Sequence, residues 1–240
     1  MSNKIDNNSL VGDSKAIITN QTGIHEKLVE VVKKHLTHPF QKPYQIHTEQ
    51  AFKEMDLRVK EFLESNPQGE VILDACCGVG QSTRILAHQN PNALVIGVDK
   101  SDHRINKNVE GFAKEDGYQG QNYHLVRADL NDFYRLVKLA NWPVSKHYIL
   151  YPNPWPKSKH LQRRWHGSAV FPQMTSIGKT LILRSNWPLY LQEFQQAAKQ
   201  VNLIGSITEL AVEEQPLTPF EAKYQASGQV CWQLSLCELK

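Results

Sequence analysis

Asp74, Gly78, Gly80 and Asp99 have the types and spacing that hold a nucleoside-like ligand. Asp74 ends one apolar run, the two glycines follow it in a predicted turn, and Asp99 ends a second apolar run. Glycines let the backbone approach a ligand closely, and an acid at the next strand tip accepts hydrogen bonds from ribose hydroxyls. The order therefore predicts a strand, a turn, a helix and a second strand that bind a nucleoside.

The residues around this turn favour a cationic ligand over a dinucleotide. A dinucleotide site uses a third glycine, which frees the helix N-terminus for pyrophosphate, but Thr83 stands at that position. Asp74 would also repel a pyrophosphate, whereas it suits the amino group or the sulfonium of S-adenosylmethionine. One alternative is a tight turn that binds no ligand. A dehydrogenase is the least favoured, because the third glycine and a nearby proton-relay pair are both missing.

Residues 151–166 form a stiff, basic and aromatic segment. Three prolines within residues 152–156 forbid a helix there, and no acid lies between residues 152 and 168. The basic side chains are Lys157, Lys159, His160, Arg163, Arg164 and His166, and the stacking side chains are Trp155 and Trp165. Cations neutralise phosphates and an aromatic ring can hold an unstacked base, so the segment predicts a nucleic-acid surface. The alternative is a solvated charged loop.

Alternating strands and helices must position these residues. Further strands are predicted over residues 123–127, 146–151, 179–184, 206–213 and 229–239, with helices over residues 81–87, 101–117, 130–141 and 188–201. Repeated βα units predict an α/β fold with a mostly parallel sheet and helices on both faces. No helical pattern separates the last two strands, which predicts an antiparallel hairpin at the sheet edge. This arrangement resembles the Rossmann-like class I methyltransferases, with seven strands and the last one reversed.

Polar residues stand at or just past the tips of five predicted strands, where ligands of open α/β sheets bind. These residues are Asp74, Asp99, Asp129, Asn153 and Asn186. For Asp129 taken alone, capping of the following helix is an equal alternative.

Composition limits the class of protein. With 240 residues and a net charge of +3, affinity for nucleic acid must come from a local patch. No apolar run is long enough to span a membrane. The four cysteines fit neither a disulfide framework nor a zinc pattern, so we expect no metal and a reducing, cytoplasmic setting.

Three regions are predicted along the chain. Residues 1–20 are polar and expected to be a disordered tail. Residues 21–69 are expected to be a helical extension packed on the core, with helices over residues 24–36 and 48–65. Residues 70–240 would form the methyltransferase domain.

From about residue 70 to its end, the chain resembles the tRNA (guanine-N7)-methyltransferases. The most specific marks are Pro-Asn-Pro-Trp-Pro-Lys over residues 152–157, followed by His160 and the pair Arg163 and Arg164, and Thr-Pro-Phe-Glu over residues 218–221. The Asp74 turn, Gly-Val-Asp over residues 97–99 and Asp129 also match, although a glycine turn is generic to methyltransferases.

The resemblance implies that the methyl group of S-adenosylmethionine passes to N7 of a guanine in the tRNA variable loop. It implies a cofactor site made of Asp74, Gly78, Gly80, Asp99, Lys100, Asp129 and Asn153. It implies a substrate site made of Lys157, Lys159, His160, Arg163, Arg164, Asn186, Thr218, Phe220 and Glu221. Asn153 would be the catalytic residue, with the basic segment against the tRNA backbone.

Asn153 and Asn186 depart from the family, which usually has aspartates at both positions. Because the methylated guanine is cationic, a carboxylate stabilises the developing charge better than an amide does. The departures leave two alternatives open. One is a methyltransferase acting on another RNA base or an exocyclic amine, since Asn153-Pro also resembles the Asn-Pro-Pro-aromatic loop of amino-group methyltransferases. The other is a tRNA-binding homologue with weak or no catalysis.

Overall fold

Seven strands form a mixed sheet whose carboxyl edge carries the predicted site. The computed structural model describes residues 13–107, 122–212 and 215–239. The strands are β1 Glu70–Ala75, β2 Ala93–Asp99, β3 Tyr123–Arg127, β4 Val144–Leu150, β5 Thr180–Ser185, β6 Leu203–Glu209 and β7 Trp232–Glu238. Their order is β3-β2-β1-β4-β5-β7-β6, and β7 is antiparallel to both β5 and β6. The predicted parallel sheet with an antiparallel edge pair is confirmed.

The two central strands β1 and β2 are buried because nearly all of their residues are apolar. Every residue of β2 and all but the first of β1 are buried, which is typical of parallel strands covered on both faces. The parallel register sets Asp74 opposite Gly97. The carboxyl side chain therefore emerges beside a residue that has no side chain.

Helices cover the two faces of the sheet unequally. They are α1 Leu28–Thr37, α2 Ile46–Ser65, α3 Gln81–Gln89, α4 Asp102–Lys107, α5 Leu130–Ala140, α6 Phe171–Thr175, α7 Pro188–Ala198 and α8 Pro219–Ala226. One face packs against α1, α2, α5, α6 and α7 in the main core, while α3 packs through Leu86 and Ala87 on the opposite face. The first two helices thus share the main core, and a domain boundary at residue 69 stays a prediction.

Residues 14 and 19 of the N-terminal segment form hydrogen bonds with distant parts of the chain. Ser14 N donates to Ser227 Oγ at 3.1 Å, and Thr19 Oγ1 donates to the Pro156 carbonyl at 2.6 Å. The polar composition that suggested disorder instead supplies hydrogen bonds to distant parts of the chain. The disordered tail stays a prediction, and residues 1–12 lie outside the described residues.

Helix boundaries also needed correction. The first helix begins at Leu28 rather than residue 24, and Ile24 is 48% exposed. Helix α4 covers the start of the helix predicted over residues 101–117, and residues 108–117 lie outside the described part of the chain. The short helix α6 was not predicted.

The expectation that no helix separates the last two strands is wrong, because α8 lies between β6 and β7. Only Glu221 of its residues is buried, so the helix has no apolar stripe that could reveal it. Its start is nevertheless encoded locally: Thr218 Oγ1 accepts from Glu221 N at 3.0 Å, and Pro219 occupies the first helical position.

In the described ranges no helix is both long and apolar enough to cross a membrane. In the same ranges no group of His, Cys, Asp and Glu side chains is placed to hold a metal ion.

Candidate active site

Asp74 is a buried carboxyl at the tip of β1. Ser82 Oγ and Thr83 Oγ1 both donate to its Oδ2 at 2.7 Å, while Oδ1 is buried without a partner in the part of the chain described. Burial raises the pKa of Asp74 to about 6, and the two hydroxyl donors only partly oppose that shift. Asp74 is 0% exposed, so its unsatisfied oxygen is a candidate ligand acceptor at the tip of β1 that is covered in this structure.

Thr83 stands where a dinucleotide site would have its third glycine, and the structure gives it a different task. Gly97 faces it from β2, and a Cβ there would come 2.3 Å from Thr83 Oγ1. The missing side chain on β2 leaves room for the hydroxyl that holds Asp74. Sequence reasoning had treated Thr83 only as the absence of a glycine.

Backbone donors anchor Asp99 at the tip of β2. Gly78 N donates to its Oδ2 at 3.0 Å and Ser101 N donates to its Oδ1 at 2.7 Å. Gly78 and Gly80 have φ of 61° and 76°, a left-handed conformation that glycine adopts at little cost. Asp99 therefore ties the glycine turn to the tip of β2.

The turn also contains Cys76, which has φ of 62° and is partly buried. Burial, reinforced by the charges of Asp99 and Asp74, raises the pKa of Cys76 to about 12. A thiol held protonated in this way is not a nucleophile.

Asp129 caps helix α5, as one of the two sequence interpretations allowed. Its Oδ1 accepts from Asn131 N at 2.9 Å, and Lys100 Nζ lies 3.3 Å from its Oδ2. Burial acts to raise the pKa of Asp129, but the donors of Asn131 and Lys100 outweigh it and lower the pKa. Its backbone N–H donates to Thr48 Oγ1 at 3.1 Å, which joins this strand tip to α2.

The loop after β4 presents Asn153 to solvent. Asn153 Oδ1 accepts from Trp155 N at 3.3 Å, and Trp155 itself has φ of 45°. Lys157, Lys159 and Arg163 are exposed, and Arg163 lies over the Trp155 ring at 4.8 Å. His160 meets the same ring edge-on at 5.6 Å, and slight burial together with the neighbouring cations lowers its pKa.

Arg164 is a correction to the predicted substrate site. Its side chain is 0% exposed and forms an ion pair with Glu193, so it cannot reach an RNA phosphate. It also lies 5.0 Å from the centre of the Trp187 ring. Arg163 and Arg164 are adjacent residues of the same type, but Arg164 points into the core whereas Arg163 is exposed to solvent.

Most of the C-terminal residues predicted to bind substrate are held by contacts within the protein. Thr218 is buried and caps α8, and Arg184 NH1 donates to Glu221 Oε1 at 2.9 Å. Glu221 Oε2 is buried without a partner among the described residues. Asn186 Nδ2 donates to Gln229 Oε1 at 2.8 Å, while Phe220 is 50% exposed.

Glu193 is a charged residue that sequence reasoning missed. It is fully buried on α7, in line with Tyr190, Phe194 and Ala197, which are buried as well. A carboxylate within an apolar helix stripe signals a buried partner, since unpaired charges are rarely buried. The sequence therefore contained a signal for a buried ion pair, but it did not identify Arg164 as the partner of Glu193.

A separate groove of about 350 Å³ lies on the α3 side of the sheet. It is lined by Leu86, Gln89, Tyr148, Ile182, Arg184, Gln215, Leu217 and Gln233. None of the strand-tip acids Asp74, Asp99 and Asp129 lines it.

Comparison with known proteins gives a family match over most of the chain. The Methyltransf_4 family, described as "Putative methyltransferase", matches residues 68–234. A tRNA (guanine-N(7)-)-methyltransferase of Lachnoclostridium phytofermentans is 31% identical over 103 residues, which cover 43% of this chain and 44% of that protein. One from Treponema pallidum (strain Nichols) is 22% identical over 167 residues, covering 68% and 65%. The chain thus spans less than two thirds of these relatives.

Solved structures share the fold at low sequence identity. An antibiotic-related methyltransferase has a TM-score of 0.56 at 16% identity, covering 74% of this chain and 92% of that one. A mutant 16S rRNA (adenine(1408)-N(1))-methyltransferase from Catenulisporales acidiphilia, with the cosubstrate SAM, has a TM-score of 0.54 at 12% identity, covering 76% and 92%. At these identities the likeness shows the Rossmann-like class I methyltransferase fold alone.

Proposed function

Because the chain belongs to the methyltransferase family that matches residues 68–234, we propose that it methylates N7 of a guanine in the tRNA variable loop. The methyl donor is S-adenosylmethionine and the setting is cytoplasmic. The observation that carries the proposal is the pairing of an unsatisfied buried carboxylate on β1 with an exposed basic loop that follows β4. The adjacent parallel strands β1 and β4 bring both to one sheet edge.

The S-adenosylmethionine site is formed by acids whose oxygens can still accept hydrogen bonds. The amino group of S-adenosylmethionine would supply the donor that Asp74 Oδ1 lacks, and a cation would favour the ionised carboxylate. Asp99 is anchored through one hydrogen bond to each oxygen, which leaves lone pairs for ribose hydroxyls. Asp129 and Lys100 would flank the adenine end.

The acceptor side needs positioning more than proton transfer. N7 of guanine has a free lone pair and no proton, so the N7–CH3 bond forms as the S–CH3 bond breaks and its electron pair stays on sulfur. Alignment of nucleophile, methyl and sulfur can supply most of the acceleration. The positive charge ends on the guanine, where the amide oxygen of Asn153 stabilises it less than a carboxylate would.

Contacts with the tRNA backbone come from the exposed cations of the loop. Lys157, Lys159 and Arg163 supply the charges, with His160 beside them. Phe220 offers an exposed ring on the neighbouring helix α8. Arg164 is not part of this surface.

The test is incubation of the purified protein with labelled S-adenosylmethionine and unmodified tRNA, followed by nucleoside mapping. We expect the label in 7-methylguanosine. Label in a methylated amine would replace the proposal with the exocyclic-amine reading that Asn153 suggests. Binding of both ligands without transfer would leave only a tRNA-binding protein.

A matched variant sharpens the test. Asn153→Asp restores a carboxylate at nearly constant size, so the rate of guanine methylation should rise if charge development limits it. An unchanged or lower rate would show that Asn153 does not face the developing charge. Asp74→Asn is the companion variant, and it should weaken cofactor binding without touching the loop of residues 151–163 that follows β4, which we call the acceptor loop.

A further inference from the structure

A fully buried charge cluster lies beneath the acceptor loop. Arg164, His166 and Glu193 are each 0% exposed, and none of them hydrogen-bonds a residue of the glycine turn. Arg164 and His166 belong to the segment after the loop, whereas Glu193 belongs to α7. The cluster therefore connects the loop region to the main core.

Every lone-pair direction of Glu193 points at a donor. Oε2 accepts from Arg164 NH1 and from His166 Nε2, the latter at 2.9 Å, while Oε1 accepts from His25 N at 2.9 Å and from Gln21 Nε2. Burial acts to raise the pKa of Glu193, but these partners outweigh it and hold the pKa at about 2. The carboxylate is ionised under all ordinary conditions.

The remaining nitrogens of the Arg164 guanidinium donate hydrogen bonds, mainly to the backbone of the acceptor loop. Its Nε and NH2 donate to the Trp155 carbonyl at 3.2 and 3.1 Å, and NH2 also reaches the Lys157 carbonyl at 3.4 Å. NH2 donates to Gln21 Oε1 at 3.0 Å as well. The planar fork of an arginine can join these groups in one fixed arrangement, which a lysine could not.

The N-terminal segment holds the same loop from a second direction. Thr19 Oγ1 donates to the Pro156 carbonyl at 2.6 Å, and Ser158 N donates to Asn20 Oδ1 at 3.0 Å. Three successive loop carbonyls, those of residues 155–157, are therefore bonded to side chains from elsewhere. Prolines at positions 152, 154 and 156 have no N–H, so the loop lacks three of the backbone donors that could fix its shape.

Within the proposed function, we infer that Glu193, Arg164 and Thr19 are positioning residues for the acceptor loop. They touch neither donor nor acceptor, but they fix the backbone between Asn153 and Lys157. Trp155 has φ of 45°, a conformation that persists in a bulky residue only where surrounding contacts impose it. Displacement of a reactive geometry by about 1 Å can cost on the order of a hundredfold in rate.

The test uses Thr19, which is only partly buried, because removal of a buried charge could unfold the protein. Thr19→Val deletes the hydroxyl at constant shape, and Thr19→Ser is the conservative rescue. We expect Thr19→Val to lower the single-turnover rate at saturating tRNA by about tenfold, with the S-adenosylmethionine Kd and the Tm unchanged, and Thr19→Ser to restore it. A rate that does not fall, or one that falls together with Tm and cofactor affinity, overturns the inference.

Hydrogen exchange separates this inference from the proposed function. In the free protein, backbone amides of residues 153–160 should exchange faster in Thr19→Val than in Thr19→Ser. If the wild-type protein transfers no methyl group but exchange still accelerates in Thr19→Val, the proposed function fails while the inference that Thr19 positions the loop stands. Equal exchange in the two variants rejects that inference, whatever the activity.

Discussion

The glycine turn and the acceptor loop meet at one edge of the sheet, but they are stabilised in opposite ways. The turn is held by residues of its own strand–helix–strand unit, since Asp74 is bonded by residues eight and nine positions away and Asp99 by residues two and 21 away. The loop depends on Glu193, 29 positions from Arg164, and on Thr19, 137 positions from Pro156. Because its support comes from distant parts of the chain, the loop should be more sensitive than the turn to distant substitutions.

The largest expected effect breaks the support of the loop. Glu193→Ala leaves Arg164 buried without its counter-charge, which typically costs about 3–5 kcal/mol of stability. Chemical denaturation of the variant should show a correspondingly lower free energy of unfolding. Glu64→Ala, an exposed acid near the end of α2, is the matched control and should change little.

The pH dependence of that loss gives an independent check. The folded-state pKa of Glu193 is held at about 2 against an ordinary value of 4.5. A lowered carboxyl pKa stabilises the folded state above the ordinary value, and this contribution is lost as the pH falls toward the folded value. The wild-type advantage over Glu193→Ala should therefore shrink between about pH 4.5 and pH 2, and a constant gap would contradict the assigned ion pair.

The next effect tests the turn. Asp99→Ala removes the acceptor for Gly78 N and Ser101 N together with the proposed ribose contact, so cofactor binding should weaken by about 1–3 kcal/mol. Calorimetry of S-adenosylmethionine binding to the wild-type protein and to Asp99→Ala measures this loss of binding free energy. Asp102→Ala, whose side chain is 57% exposed, is the nearby control. An unaltered dissociation constant in Asp99→Ala would mean that the ribose lies elsewhere.

The same contrast explains what sequence could and could not predict. The strand, turn, helix and strand around Asp74 were predictable, because their signals are apolar runs and glycines within a single short window. The partnership of Arg164 with Glu193 was not, because nothing local distinguishes a buried arginine from the exposed Arg163 beside it. Helix α8 was not predicted for a different reason: its capping residues are clear, but it buries too few apolar side chains to give a periodic pattern.

A further prediction concerns the protonation of Asp74. Its pKa of about 6 means that the free protein holds a neutral carboxyl below that pH, whereas a cationic amino group requires the carboxylate. Affinity for S-adenosylmethionine should fall by up to about tenfold for each pH unit below 6, or about 1.4 kcal/mol. Measurement of the S-adenosylmethionine Kd against pH checks this, and Asp74→Asn should abolish the change in slope near pH 6. A change in slope that persists in Asp74→Asn would assign the titration to another group.

The smallest expected effect concerns single charges of the loop, and it separates the two adjacent arginines. Arg163 is exposed, so Arg163→Ala should reduce the slope of log affinity for tRNA against log salt by about 1. Lys34→Ala on the exposed side of α1 is the control, and its slope should match the wild type. If Arg163→Ala leaves the slope unchanged, Lys157 and Lys159 would have to carry the phosphate contacts, or the RNA lies on another surface. A reduced slope would show that, of this pair, one arginine binds the partner and the other shapes the loop that presents it.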